Sequence, residues 1–337
     1  MSQAIAVIGA GGWGIALAKL LAEKGMRVTL WCHGADTHRE LAGARESRTY
    51  LPGVRLPDDV ELTRDAAAAA RGKSLVICAV PSHAVREVLE QAAPGLDRGT
   101  TLLCATKGLE EGSLKTMGEL MAEILGEGAR ERHAFLSGPT FAAEVGRGLP
   151  AAVTAAAYRR EVARAVQETL STQNFRVYTS TDVIGVQMGG VVKNVIAIAA
   201  GISDGLGLGH NARAALITRG LAELTRLAVR MGADPATTSG LAGLGDLVLT
   251  CTGELSRNRK VGVLVAQGKS LEEIMAGTRM VAEGVRNTRS VRELASRLSV
   301  EMPIVDQMYR VLYEGKPPAL AVRDLMKRSL KPENSLN

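Results

Sequence analysis

Along the first half of the chain, apolar residues come in short continuous runs separated by stretches with helical spacing. Ala4–Gly9 reads as a buried strand, Gly14–Lys24 as a helix closed by Gly25, and Arg27–Cys32 as a second strand, together a βαβ unit. A polar loop containing Tyr50-Leu51-Pro52-Gly53 follows, then an alanine-rich helix near Asp65–Arg71, a composition that helix propensity explains. Strands are expected at Ser74–Val80, Thr100–Ala105 and Ala134–Ser137, with helices His83–Gln91 and Ser113–Leu125 between them. Strand-like runs near Ala151–Ala155 and Phe175–Thr179 flank a helix Arg159–Leu170 and extend the sheet. The alternation predicts an α/β fold with a parallel, doubly wound sheet.

Past about Ser180 the periodicity becomes helical throughout. Helices are expected at Val183–Gly201, Asn211–Met231, Gly262–Ala266, Ser270–Met275, Thr288–Leu298 and Met302–Tyr313. Asn211 is placed to cap the second of these and Gly232 to end it. On its polar face Arg219 and Glu223 are spaced as an i,i+4 pair, and Glu223 and Arg226 as i,i+3. The chain is thus expected to divide into a sheet domain, 1–180, and an all-helical domain, 181–337, with a frayed tail over Lys331–Asn337.

Composition narrows the function. The 337 residues suffice for two domains and a large core. Aromatics are 3%, so the core is aliphatic and stacking platforms for single-stranded nucleic acid are lacking. The net charge of +6 is spread along the chain, which suits small anions such as phosphates and not a nucleic acid. Cys32, Cys78, Cys104 and Cys251 form no CxxC pair; buried free thiols in a reducing cytoplasm fit them best, rather than disulfides or a zinc site. Residues 1–20 lack the basic start and unbroken apolar run of a signal peptide, and no uncharged run is long enough to span a bilayer. A cytoplasmic protein is expected.

The most informative residue is Lys193. It interrupts the otherwise almost wholly apolar run Val191–Ala200. A helix apolar on every side is normally buried, and a buried ammonium is costly unless paired. Either its head snorkels to water, or it is held at the floor of a cleft to meet an anion or donate a proton. Gly9-Ala10-Gly11-Gly12-Trp13-Gly14 fits G-x-G-x-x-G between a strand and a helix, the context in which that pattern binds a dinucleotide. Gly9 permits the tight turn, Gly11 lets the backbone approach a pyrophosphate, and Gly14 lets helix and strand pack closely. The second strand ends in His33 with no acid to hold a ribose 2′-hydroxyl, so NADP is expected to be accepted, alone or with NAD.

Lys107 follows a strand at the edge where open α/β sheets bind ligands, and Ser137-Gly138-Pro139-Thr140 ends the next strand with free N–H groups and a hydroxyl. Asp246, after Gly243-Leu244-Gly245, is placed as a helix cap or as a participant in the chemistry. Ser256-Arg257-Asn258 offers a compact donor set for a phosphate, while Arg259 and Lys260 are expected to be solvated. Glu283 reads as an ordinary surface acid.

Taken together, Gly9–Trp13, Tyr50–Gly53, Thr106–Glu110, Ser137–Thr140, Val192–Gly201, Ala215–Gly220, Gly240–Thr252 and Ser256–Asn258 resemble the NAD(P)-dependent glycerol-3-phosphate dehydrogenases of the prokaryotic type, over about residues 4–325. The resemblance implies a Rossmann domain followed by a helical domain, a homodimer, and interconversion of dihydroxyacetone phosphate and sn-glycerol 3-phosphate with NADPH or NADH, feeding phospholipid synthesis. It makes Lys193 the catalytic acid/base. It makes Lys107, Gly138, Thr140, Lys193, Asp246, Ser256, Arg257 and Asn258 substrate contacts. Cofactor contacts would be Gly12, Trp13, His33, Tyr50, Lys107, Ala142, Arg257, Val281 and Glu283, beside the loop glycines Gly9, Gly11 and Gly14. His33 stands where the family commonly has arginine, and Gly12 where it commonly has serine. Two other classes fit the two-domain plan: a β-hydroxyacid or ketopantoate-type reductase, which would take a carboxylate, and a non-enzymatic nucleotide sensor, which would need neither Lys193 nor Ser256–Asn258.

Overall fold

A computed structural model describes residues 3–277, 282–330 and 332–333. Two compact units emerge, Met1–Lys107 with Lys115–Val183, and Gly108–Leu114 with Ile184–Asn337.

In the first unit the elements run β1 (Ala4–Ile8), α1 (Gly12–Glu23), β2 (Arg27–Trp31), α2 (Ala35–Ala44), β3 (Glu46–Ser47), β4 (Leu51–Arg55), β5 (Glu61–Thr63), α3 (Ala66–Ala70), β6 (Leu75–Cys78), α4 (Val85–Ala92), β7 (Thr101–Cys104), α5 (Met117–Leu125), β8 (His133–Ser137), α6 (Ala142–Gly146), β9 (Ala151–Ala157), α7 (Arg160–Leu170) and β10 (Phe175–Ser180). One sheet has the order β10-β9-β8-β7-β6-β1-β2-β5. Every joint is parallel except β8–β9, where Ala134 faces Ala157 in antiparallel register. Strand order reverses between β1 and β6, which sets the first glycine loop at a topological switch point. The central strands are buried along their length, as expected where helices cover both faces.

Three features differ from the sequence expectations here. The stretch read as a polar loop contains α2, the β3–β4 hairpin and the edge strand β5; each is too short or too polar to show a period. The helix expected from Ser113 starts at Met117, because Thr116 and Glu119 form a reciprocal capping box there. The sheet carries an antiparallel joint that a βαβ pattern alone does not reveal. The four cysteines are buried and free; Cys78 and Cys104 are register partners on β6 and β7.

The second unit is helical: α8 (Val183–Gly205), α9 (Gly209–Arg230), α10 (Pro235–Thr238), a π turn over Leu241–Gly245, α11 (Asp246–Thr252), α12 (Arg257–Ala266), α13 (Leu271–Ala276), α14 (Glu283–Arg297), α15 (Pro303–Tyr313) and α16 (Pro318–Met326). α8 is long and apolar enough to cross a membrane by length and composition, and 94% of its most apolar window is buried inside the protein. Its neighbours reach backbone contact. A Cβ at Gly189 would lie 2.3 Å from the Ala242 carbonyl, and one at Gly220 would lie 2.6 Å from the Ile196 side chain. Gly232, in the left-handed region at φ +96°, ends α9 as expected. Asn211 does not cap it, because the helix begins two residues earlier at Gly209. The tail 331–337 lies outside the described residues apart from Pro332 and Glu333.

Glu223 is the largest departure. It makes no surface pair with Arg219 or Arg226. It is 1% exposed and accepts the N–H groups of Ile304 (2.7 Å) and Val305 (3.3 Å), supplying from α9 the cap that α15 lacks locally. Arg226 donates instead to the Glu301 carbonyl. Burial pushes the Glu223 carboxyl up to about 7, against the pull of the two N–H groups. Its folded pKa thus lies above the ordinary 4.5. Stability from this group is complete below that value and lost as pH rises toward 7. His133 works in the opposite sense. Buried, with neither ring nitrogen bonded among the described residues, it is lowered to about 4 and costs stability as pH falls below 6.5. Glu223→Gln keeps an acceptor oxygen and cannot ionise. Its stability relative to wild type should rise by up to about 3 kcal/mol between pH 4.5 and 7, read from urea midpoints. A difference independent of pH would contradict the assignment.

Candidate active site

In the first unit the glycine loop has the shape a dinucleotide needs. Gly9 adopts φ +121°, and a Cβ there would meet the Ala79 carbonyl at 2.7 Å, just beyond β6. A Cβ on Gly14 would lie 1.8 Å from the Gly9 carbonyl, so helix and strand pack only because it is glycine. Gly11, in contrast, has nothing within 4 Å of its Cβ position, and no side chain caps α1. Open space above first-turn N–H groups suits a pyrophosphate. Gly12 brings two other predicted positions to the loop: its Cβ site is 2.7 Å from the Tyr50 carbonyl and 3.6 Å from the Ala142 side chain. Glycine at this position lets the Tyr50 main chain approach the loop closely. Tyr50 is held by its N–H on the buried Ser47 hydroxyl, which in turn donates to Glu40. Trp13 packs its ring 6.4 Å from Phe175, and His33 lies exposed past β2 with its ring edge-on to Trp31 at 5.6 Å.

Lys107, Gly138 and Thr140 also meet. The Lys107 ammonium donates to the Gly138 carbonyl at 3.1 Å, and the Thr140 hydroxyl donates to the same oxygen at 3.3 Å. Gly138 sits at φ +148°, and a Cβ there would also press on Val153 at 2.8 Å, so only glycine fits.

In the second unit Lys193 does not snorkel. Its side chain is 8% exposed, and its ammonium donates to the Asp246 carboxylate at 2.6 Å and the Thr250 hydroxyl at 3.0 Å. Asp246 opens α11 after the π turn, and its carboxylate faces Lys193 instead of capping the helix. Thr250, one turn on, donates to the Asp246 main-chain carbonyl at 2.6 Å. π turns of this kind recur at functional sites, where they re-aim side chains. Ser256 caps α12 by accepting the Arg259 N–H, and Arg257 follows as an exposed first-turn residue. Glu283, first in α14 and half-buried, interacts electrostatically with Arg257. The Asn258 amide is engaged on both sides: it donates to Asn194 at 2.8 Å and accepts the Gly284 N–H at 3.0 Å. Val281 lies outside the described residues.

Sequence reasoning missed Thr250 and Asn194. The i,i+4 spacing of Asp246 and Thr250 on one helix face could have found the first. Asn194, adjacent to Lys193, shows its use only through the long-range bond to Asn258. Arg259, expected in solvent, is half-buried and ion-paired with Asp204 at 2.6 Å.

A glycine loop at the switch point of a doubly wound sheet, joined to a helical unit built around a buried lysine, defines an NAD(P)-dependent dehydrogenase of two-part plan. The comparisons with known proteins specify it. Residues 4–163 match the model of the NAD-dependent glycerol-3-phosphate dehydrogenase N-terminus, and residues 182–323 match that of the C-terminus. The chain belongs to the NAD-dependent glycerol-3-phosphate dehydrogenase family. It is 55% identical, over 99% of both chains, to a protein of Geobacter sp. (strain M21) named glycerol-3-phosphate dehydrogenase [NAD(P)+]. The crystal structure of glycerol-3-phosphate dehydrogenase from Coxiella burnetii superposes with a TM-score of 0.92 at 42% identity, covering 97% of this chain and 99% of that one. A ketopantoate reductase from Ralstonia eutropha JMP134, at 17% identity and a TM-score of 0.60 over 95% of this chain and all of its own, shares the fold alone.

Gly14→Ala should destabilise the first unit and weaken NADPH binding together, since the added carbon falls on backbone. Overpacking of this kind costs ~1–3 kcal/mol, and a drop in affinity of about 5- to 150-fold is expected where that strain falls on the binding loop. NADPH fluorescence titration measures it, and wild-type affinity in the variant would contradict the packing argument.

Proposed function

We propose that this protein is an NAD(P)-dependent glycerol-3-phosphate dehydrogenase that interconverts dihydroxyacetone phosphate and sn-glycerol 3-phosphate for glycerophospholipid synthesis, as a cytoplasmic homodimer. The observation that carries the reading is the Lys193–Asp246 pair, an ammonium sealed in an apolar helix and turned onto a carboxylate. In this reading residues 1–180 form the Rossmann domain that holds most of the nucleotide, and 181–337 the helical domain that supplies Lys193 and most of the substrate contacts.

NAD(P)H, when held at the glycine loop, would supply the hydride. Lys193 donates a proton to the substrate's C2 carbonyl oxygen as charge builds there, and takes it back in the reverse direction. Asp246 and Thr250 hold the ammonium in place for that transfer. Arg257, with Ser256 and Asn258 shaping its turn, grips the phosphate. Lys107, Gly138 and Thr140 complete the substrate contacts. Gly9, Gly11, Gly12, Trp13, Gly14, Tyr50, Ala142, Val281 and Glu283 hold the dinucleotide. His33, which brings no negative charge, allows a 2′-phosphate, so both NADPH and NADH are used.

Two measurements test this. Lys193→Ala should lower kcat by ~10²–10⁴, the range for losing a positioned general acid, while NADPH binding is kept; near-wild-type kcat with dihydroxyacetone phosphate would remove Lys193 from the reaction. The kcat/KM for NADH should not exceed that for NADPH by as much as about a hundredfold, since β2 and the Cys32-His33 that follow it carry no acid to select the free ribose. An NADH preference beyond that would overturn the role given to His33.

A further inference from the structure

We infer that Asp204 is a positioning residue for substrate phosphate: through Arg259 it fixes the first turn of α12, and so the direction in which Arg257 points. The inference rests on the glycerol-3-phosphate dehydrogenase reading and extends it to two residues outside the contact set.

Asp204 lies eleven residues beyond Lys193 on α8, about three turns, so both leave the helix on nearly the same side. It is the shared anion of two cations. One carboxylate oxygen accepts from the Arg213 guanidinium at 3.1 Å and the other from Arg259 at 2.6 Å; all three side chains are largely buried, at 16% exposed for Asp204 and 22% for each arginine. Arg213 also meets His210 at 2.7 Å. Arg259 is the third residue of α12, after Arg257 and Asn258.

Backbone contact sets how far α12 can slide. A Cβ on Gly201 would meet the Arg259 carbonyl at 1.9 Å, and one on Gly262 would meet the Ile198 carbonyl at 2.0 Å. This contact sets the spacing of the two helices, and the rotation of the first turn of α12 is set by its side chains. Polar ties set it at two consecutive residues, Asn258 on Asn194 and Gly284, and Arg259 on Asp204. Without Asp204 the second tie is gone. The half-buried guanidinium groups of Arg213 and Arg259 would also face each other with no anion between them, a repulsion that pushes the turn outward. The hydrogen bonds that hold the Lys193 ammonium run to Asp246 and Thr250, about three turns back along α8. Loss of Asp204 should therefore show in substrate binding and leave the proton transfer intact.

The test is steady-state kinetics of the full-length enzyme with saturating NADPH and varied dihydroxyacetone phosphate, for wild type, Asp204→Asn, Arg259→Gln and the double variant. Each single change should raise KM for dihydroxyacetone phosphate about tenfold, the scale of one charge-assisted hydrogen bond. kcat should remain near wild type. The double variant should be no worse than either single, because both break one tie. If Asp204→Asn fails to accumulate as folded protein, Arg259→Gln decides by the same KM. Unchanged KM in the single variants, additive effects in the double, or a fall in kcat that tracks KM for both substrates would overturn the proposal. A wild type that does not oxidise NADPH with dihydroxyacetone phosphate would overturn the dehydrogenase reading itself, and this proposal with it.

Discussion

Keeping one ammonium in an apolar interior is the constraint around which the helical unit is arranged. The cost of desolvating Lys193 is offset only if a carboxylate reaches it with good geometry. Asp246 does so at 2.6 Å, and Thr250 takes a second donor position. The demand propagates outward. α11 must begin where its first residue faces α8, which the π turn and the glycines of Leu241–Gly245 arrange; a Cβ on Gly243 would sit 2.0 Å from the Thr238 carbonyl. α8 must be approached from several sides at backbone distance, hence Gly189, Gly201 and Gly205 on it and Gly220, Gly262 and Gly284 on its neighbours. A charge with no outlet to water leaves its helix few alternatives in register or rotation.

The sheet unit solves a different problem, presenting N–H groups to an anion without a competing side chain. The loop after β1 does this by subtraction. Gly9 and Gly14 remove the carbons that would keep strand and helix apart, and Gly11 leaves the space above the helix terminus open. Gly12 extends the same principle toward Tyr50. There the Tyr50 main-chain carbonyl comes close to the loop, in a segment held by the Ser47–Glu40 hydrogen bonds.

Much of this was legible in the residues, and the failures have a common cause. The glycine loop, the β1–α1–β2 unit and the buried Lys193 carry local signals, a spacing or a pattern interrupted by one charge. Glu223 and Arg259 were misread because sequence spacing placed them on polar faces, whereas partners distant in the chain had drawn them inward: the α15 N-terminus for one, Asp204 for the other. Asn211 looked like a cap, yet the left-handed Gly209 at φ +82° starts α9 earlier. The antiparallel β8–β9 joint is likewise set by long-range pairing, and β9 with its alanines has no direction written into it. At the site the individual donors were found from their types and places. What escaped was the second layer that holds them, Asn194, Thr250 and Asp204, because a hydrogen bond between distant helices leaves no periodic trace.

The central claim is that the Lys193 ammonium delivers the proton to the ketone oxygen. Chemical rescue tests it most directly. With the Lys193 side chain truncated to alanine, small primary amines added to the assay should restore turnover, with rescued rates that follow the amine pKa at constant size. Rescue absent across the amine series, or matched by a quaternary ammonium salt that has no proton to give, would contradict it.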